Sequence, residues 1–152
     1  MATLDKLSAV ENLIALLRDG ERGFAELAEH IHAADCRDFM KQESNVRAVF
    51  ATELERVVYT ATGMHLHPDG TRLASVHRSW LDLKARFGAD DVSLLRATEM
   101  CEGFAVRAYQ EVLENSTTPD AVRAVVAQQF QHVQRSQGIV QELRTLIKAR
   151  AE

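Results

Sequence analysis

The sequence predicts an all-α fold, a four-helix bundle, on three observations. Apolar residues recur at steps of three and four along four long stretches, the spacing that lines one face of a helix. The 152 residues include only two prolines and seven glycines, a composition that favours helix over sheet. Hydrophobic residues make up 46% of the chain, and a chain of this length can bury its own core. We therefore expect a single domain over residues 1–152.

The first two stretches predict an antiparallel helix hairpin. The first runs from Leu4 to about Ala33, and its apolar stripe is Leu7, Val10, Ile14, Leu17, Phe24, Ala28 and Ile31. The second runs from about Asp38 to Ala61, with Phe39, Val46, Phe50, Leu54 and Val57 on one face. Only a few residues around position 35 separate the two helices, and a short link of this kind joins antiparallel neighbours. Gly63 supplies the left-handed stop.

The last two stretches predict a second hairpin. A start signal at Asp90 and Asp91 opens the third helix, which carries Leu95, Thr98, Ala105, Tyr109 and Val112 inward. The polar run before Pro119 ends it, and Pro119 then occupies the first-turn position of the next helix, where its missing amide is harmless. The fourth helix carries Val122, Val126, Val133, Val140, Leu143 and Ile147 inward, nearly to the chain end.

About 28 residues, from Thr62 to Ala89, separate the two hairpins. A structureless loop of that length is unusual in a compact domain. Its apolar residues have helical spacing, so we expect a short amphipathic helix across the bundle, with Leu73, Val76, Trp80, Leu83 and Phe87 on one face. Two antiparallel hairpins joined by one long crossover is the ferritin-like connection. The predicted fold is therefore a ferritin-like four-helix bundle.

Several polar residues fall on the predicted core faces. At 100° per residue, Glu21 lies between Leu17 and Phe24, and Glu102 lies between Thr98 and Ala105. A di-iron bundle uses one glutamate from each of two helices and Glu-x-x-His from each of the other two. The ligand set that this chain offers is incomplete: Glu21, Glu43, Glu102, Gln129 and His132.

A protein cation is the alternative to a metal at these carboxylates. Buried carboxylates persist when they are paired, protonated or hydrogen-bonded. Arg47 lies at the edge of the inward face of the second helix, where it could reach Glu21 or Glu102. This hypothesis predicts a structural polar cluster of Glu21, Arg47, Glu102 and Tyr109, with Gln129 completing its hydrogen bonds.

Composition argues against two classes of partner. The net charge is −4, with 22 acids and 18 bases interspersed, so no basic run is available to line phosphates. No apolar stretch approaches the ~20 residues that span a bilayer, and no signal peptide is recognisable at the amino terminus. We expect a cytoplasmic protein with neither a nucleic-acid nor a membrane partner. Cys36 and Cys101, without a Cys-x-x-Cys motif, are expected to be reduced core residues.

Three segments carry a resemblance to a known family. They are residues 77–84 (HRSWLDLK), residues 19–24 (DGERGF) and residues 99–109. With these the chain resembles a bacterial family of ferritin-like four-helix proteins described as a domain of unknown function, some of whose relatives are linked to stress responses. The resemblance implies a ferritin-like fold and supplies no metal ligands. Cys101 and Gly103, which flank Glu102, depart from the family pattern.

Two functions remain open from the sequence. The first is a non-enzymatic bundle, stress-associated by resemblance, that acts through its surface or as a homodimer or higher homo-oligomer, with no cofactor and no catalytic residues. The second is a ferritin-like oxidoreductase or storage protein that binds iron or manganese. The two are distinguished by whether Arg47 lies between the core acids or the ligands converge within roughly 2 to 2.5 Å of one point.

Overall fold

A computed structural model describes residues 2–66, 83 and 85–151. These residues contain no strand and four long helices: α1 (Ala2–His30), α2 (Ala34–Thr62), α3 (Asp91–Glu114) and α4 (Asp120–Ala151). Leu83 and Ala85 are also helical. The all-α prediction is confirmed for this part of the chain. The predicted crossover helix falls largely on residues outside it; of its apolar stripe, Leu83 is buried and Phe87 is partly buried.

The helices pack as a bundle in which each helix has two neighbours and one diagonal partner. α1 packs against α2 and α3, and α4 packs against α3 and α2, while α1–α4 and α2–α3 are the diagonals. Arg18 of α1 reaches Glu55 of α2, and the turn after α1 meets Asp91 at the start of α3. The end of α2 and the start of α3 therefore lie at opposite ends of the bundle. The connection between them has to cross its length.

The start of α2 differs from the prediction by one turn. The sequence suggested a link around Ala34 and Asp35, whereas α2 begins at Ala34. The carboxylate of Asp91, on α3, accepts hydrogen bonds from the amides of His32 and Ala33 at 2.9 and 2.8 Å. A carboxylate from a distant part of the chain thus holds the turn, which local sequence patterns cannot show.

The predicted helix ends at Gly63 and Asp90 agree with the structure. Gly63 has φ 76° and donates its amide to the carbonyl of Tyr59, a left-handed helix end that glycine adopts without strain. Asp90 accepts from the amide of Ser93 at 2.8 Å, so it caps the first turn of α3. These local signals fix where two of the long helices stop and start.

Two apolar clusters fill the interior, one toward each end of the bundle. The Leu7 cluster takes residues 7–17 of α1, 51–58 of α2, 105–112 of α3 and 122–133 of α4. The Phe24 cluster takes residues 24–31, 36–40, 94–101 and Val140 of the same helices, together with Leu83. In every helix the break between the clusters falls near mid-length. Polar residues lie at that break.

Among the described helices, none combines the length and the apolar character that crossing a membrane requires. The predicted stripes of α1 and α3 are buried, and that of α4 is buried as far as Val140. The stripe predicted for α2 is wrong in part. Leu54 is buried, but the other four members are only partly buried, and α2 turns Met40, Ala51 and Val58 into the core instead.

Candidate functional site

A polar layer of five residues separates the two apolar clusters. Its members come from three helices: Glu43 and Arg47 from α2, Glu102 from α3, and His132 and Ser136 from α4. All except His132 are buried. Charged groups in such a position are costly unless each has a partner, so the contacts decide what the layer can do.

Arg47 is the centre of the layer and is only 2% exposed. Its Nη2 donates to Glu102 Oε2 at 2.8 Å and to Glu43 Oε2 at 3.2 Å, and its Nε donates to Glu43 Oε2 at 3.3 Å. Burial disfavours the charged guanidinium, but the carboxylates of Glu102 and Glu43 outweigh it and raise the pKa of Arg47 above its ordinary value. Arg47 is therefore a cation held between two buried acids.

The bond between Arg47 and Glu102 crosses the bundle diagonal. No Cα atom of α2 comes within 8 Å of one in α3, so long side chains alone connect these helices. Ser136 of α4 accepts from Arg47 at 3.3 Å and donates to Glu102 Oε2 at 3.1 Å. The layer thereby ties α2, α3 and α4 together.

Two residues of α1, Gly20 and Phe24, lie against the Arg47 side chain. The Arg47 Cζ atom lies 5.0 Å from the ring centroid of Phe24, a cation–π distance. One turn earlier on the same face of α1, a Cβ atom at Gly20 would lie 3.6 Å from Arg47 Cγ. A side chain larger than alanine at position 20 would compete with the Arg47 stem for space.

The second acid, Glu43, also connects the layer to solvent. Its Oε1 lies 2.8 Å from His132 Nε2, and because a carboxylate only accepts hydrogen bonds, Nε2 carries the proton. The side chain of His132 is 31% exposed and packs edge-on against Phe50. His132 is the layer's contact with water.

Tyr109 and Gln129 form a separate pair on the Leu7 side of the layer. The Tyr109 hydroxyl donates to Gln129 Oε1 at 2.9 Å, and Gln129 Nε2 donates to the Phe50 carbonyl and to Glu53 at 3.2 and 3.1 Å. Burial raises the pKa of Tyr109 far above its usual value. Gln129 is thus fully engaged in holding α3 and α2 to α4.

Glu21 requires a correction. The sequence placed it in the core beside Glu102, but its side chain is 36% exposed and pairs with Arg18 at 3.4 Å. Only its backbone carbonyl turns toward α2, where it accepts from Ser44 Oγ at 2.7 Å. The helical-wheel estimate failed because α1 turns Gly20, not Glu21, toward Arg47. Glu43 takes the role that the sequence gave to Glu21.

The five predicted metal ligands do not come together. Glu21 lies outside, Gln129 is bound elsewhere, and Arg47 lies between Glu43 and Glu102. Of the five, Glu43 and His132 make direct contact. Across residues 2–66, 83 and 85–151, no group of three or more histidine, cysteine, aspartate or glutamate side chains is arranged to hold a metal ion. The donor set therefore does not fit a dinuclear metal site.

Of the predicted polar cluster, the structure brings Arg47 and Glu102 together and leaves out Glu21. Tyr109 donates to Gln129 rather than to an acid of the layer. Sequence reasoning missed Ser136, although it lies on the apolar stripe of α4, three residues after Val133 and four before Val140. A polar residue within an otherwise apolar stripe was the available signal.

The two cysteines belong to the Phe24 cluster. Cys36 lies on α2 and Cys101 on α3, helices with no Cα pair within 8 Å, too far apart for a disulfide. Burial raises the pKa of the Cys36 thiol to about 11, with help from Asp35 and Asp91. A protonated buried thiol is a poor nucleophile.

A family model described as "Domain of unknown function (DUF2383)" matches residues 5–115, which cover α1, α2, α3 and the connection between α2 and α3. No curated protein and no solved structure matches the chain significantly.

Proposed function

The chain belongs to the DUF2383 family of domains of unknown function, and on that premise we propose that it is a non-enzymatic ferritin-like bundle. In this proposal the guanidinium of Arg47 occupies the position at which ferritin-like metal proteins bind their metal ions. The protein works through its outer surface. We further propose that the protein is associated with stress responses, which rests on the family resemblance alone, and that it is cytoplasmic.

The position of Arg47 is the observation that carries the proposal. Its guanidinium contacts Glu102 and Glu43 at 2.8 and 3.2 Å, so a metal ion bound to both acids would have to displace it. The cation also provides charge compensation for the buried carboxylates. We propose that this ion pair serves the specificity of packing, because buried ion pairs contribute little net stability.

Helix order supports the ferritin-like part of the proposal. All four neighbouring pairs in this bundle are antiparallel, and the diagonal helices α2 and α3 are joined by a connection that crosses its length. Ferritin-like bundles with one long crossover have the same helix directions, which supports the proposal. The polar layer lies in the bundle core, into which the helices of ferritin-like di-iron proteins project their metal ligands.

A second candidate function is metal binding at the layer, and the contact between Glu43 and His132 favours it. Carboxylate and imidazole at 2.8 Å on neighbouring helices are two of the ligand types that bind iron or manganese, and Glu102 lies across the layer. The candidate requires Arg47 to withdraw from both acids. In the observed arrangement Arg47 holds them.

Elemental analysis tests the two functions against each other. The protein is purified without a His tag or chelator, and its metal content is measured before and after anaerobic incubation with ferrous iron or Mn²⁺. We expect no bound metal in either state. Near-stoichiometric metal that is lost in Glu102→Gln, but kept in Glu111→Gln at an exposed position of α3, would overturn the proposal and establish the metal-binding function.

A further inference from the structure

The outer face of α4 is unusually poor in charge. Between positions 121 and 146 its exposed residues are alanine, glutamine, one isoleucine, one threonine and one leucine, with Arg135 and Glu142 as the two charged side chains. Protein surfaces that remain exposed to water normally mix many charges, whereas the centres of interfaces are depleted of them. In its scarcity of charge this face resembles the centre of an interface more than a solvated surface.

Apolar side chains and an open glycine lie together on the same face. Ile139 and Leu146 are 41% and 50% exposed, and their spacing of seven places them on one side of the helix. Apart from its two chain neighbours and the backbone of its own helix, no atom lies within 4 Å of the position that a Cβ of Gly138 would take. Gly138 and Leu146 line a shallow surface depression together with Gln141, Glu142 and Thr145.

The two charged residues of this face are arranged symmetrically about Gly138 and Ile139. Arg135 precedes Gly138 by three residues, and Glu142 follows Ile139 by three. Within one helix they are about 10 Å apart along the axis, too far for an ion pair. If two copies of α4 lie antiparallel across a twofold axis between positions 138 and 139, Arg135 faces the partner's Glu142 and Ile139 faces the open space at the partner's Gly138.

We propose that this face binds a second copy of the chain, forming an isologous dimer through antiparallel α4 helices. The occupant is a second copy because the face is complementary to itself: each charge meets its opposite and each isoleucine meets a glycine under one twofold operation. The inference rests on the proposed function, in which the protein works through its outer surface. It does not depend on the polar layer, so metal analysis and oligomeric state can fail independently.

Sedimentation velocity over a range of concentrations tests the dimer with a charge swap. The mass obtained for the wild-type protein is expected to be twice the 17.0 kDa of one chain. Arg135→Glu and Glu142→Arg are each expected to weaken the dimer at least about tenfold, because each places like charges opposite one another. The double variant Arg135→Glu/Glu142→Arg restores the opposite charges and should restore the dimer.

Two further variants complete the experiment. Gly138→Leu fills the space that Ile139 needs and should give monomers, while Arg56→Glu on α2 is a charge reversal away from the face and should leave the dimer intact. Circular dichroism confirms that every variant is folded. A monomeric wild type, a dimer that tolerates both single reversals, or a double variant that stays monomeric would each overturn the proposal.

Discussion

The Leu7 cluster and the polar layer occupy the same bundle interior but hold it together differently. The cluster consists of aliphatic residues from all four helices together with Tyr109, and the contribution of its aliphatic part depends on buried apolar area, with no fixed direction. The layer depends on a few directed contacts, in which Arg47, Glu43 and Glu102 need one another. Burial of apolar area in the cluster therefore makes the helices pack together. The directed contacts of the layer determine how the helices align with one another.

Removing the layer's cation should have the largest effect. Arg47→Leu leaves two acids buried without their partner, and breaking a buried pair costs about 3 to 5 kcal/mol. We expect that loss in the free energy of unfolding from urea titrations at one protein concentration. Arg56→Leu, at an exposed position of the same helix, should change it little. An equally small effect at both positions would show that the layer is not held by Arg47.

A cavity in the apolar cluster should cost somewhat less. Leu54 is fully buried, and Leu54→Ala removes its packing and leaves a void, at about 3 kcal/mol. Val49→Ala, on the exposed side of the same helix, is the matched control. If Leu54→Ala cost more than Arg47→Leu, the stated order of the two regions would be reversed.

Tyr109→Phe separates hydrogen bonding from packing at the border of the two regions. It removes the hydroxyl that donates to Gln129, and we expect a loss of about 1 to 2 kcal/mol near neutral pH. Since burial raises the pKa of Tyr109, the folded state keeps a proton that the unfolded state releases above about pH 10. Wild-type stability therefore falls there as pH rises.

Phenylalanine does not titrate, so the stability difference between wild type and Tyr109→Phe should shrink between pH 9 and 11, which urea titrations measure. Tyr59→Phe, at an exposed position, controls for ionisation of the chain in general. A difference that is constant with pH would show that Tyr109 titrates alike in both states.

The smallest effect is expected at the solvent edge of the layer. His132 is partly exposed, and water can replace much of its contact with Glu43, so His132→Gln should cost about 1 kcal/mol or less in the free energy of unfolding. A loss as large as that of Arg47→Leu would mean that His132, rather than Arg47, compensates the buried Glu43.

The same division explains what the sequence could predict. The helices and most of the apolar stripes follow from local periodicity, and the structure agrees at residues such as Val10 and Val126. On α2, however, Leu54 is the one member of the predicted stripe that is buried. The layer depends on small rotations of each helix, which placed Gly20 instead of Glu21 against Arg47. Local patterns identify polar residues near the core but cannot assign their partners across a diagonal.

A rescue of Arg47→Leu by neutral residues tests most directly whether Arg47 holds the two buried acids. If the variant fails because two acids are left without a cation, adding Glu43→Gln and Glu102→Gln should restore much of the lost unfolding free energy. The same two substitutions in wild type should instead destabilise it, because they strand Arg47. Rescue in one background and loss in the other is the predicted result. Losses that simply add would contradict the claim that Arg47 holds the two buried acids.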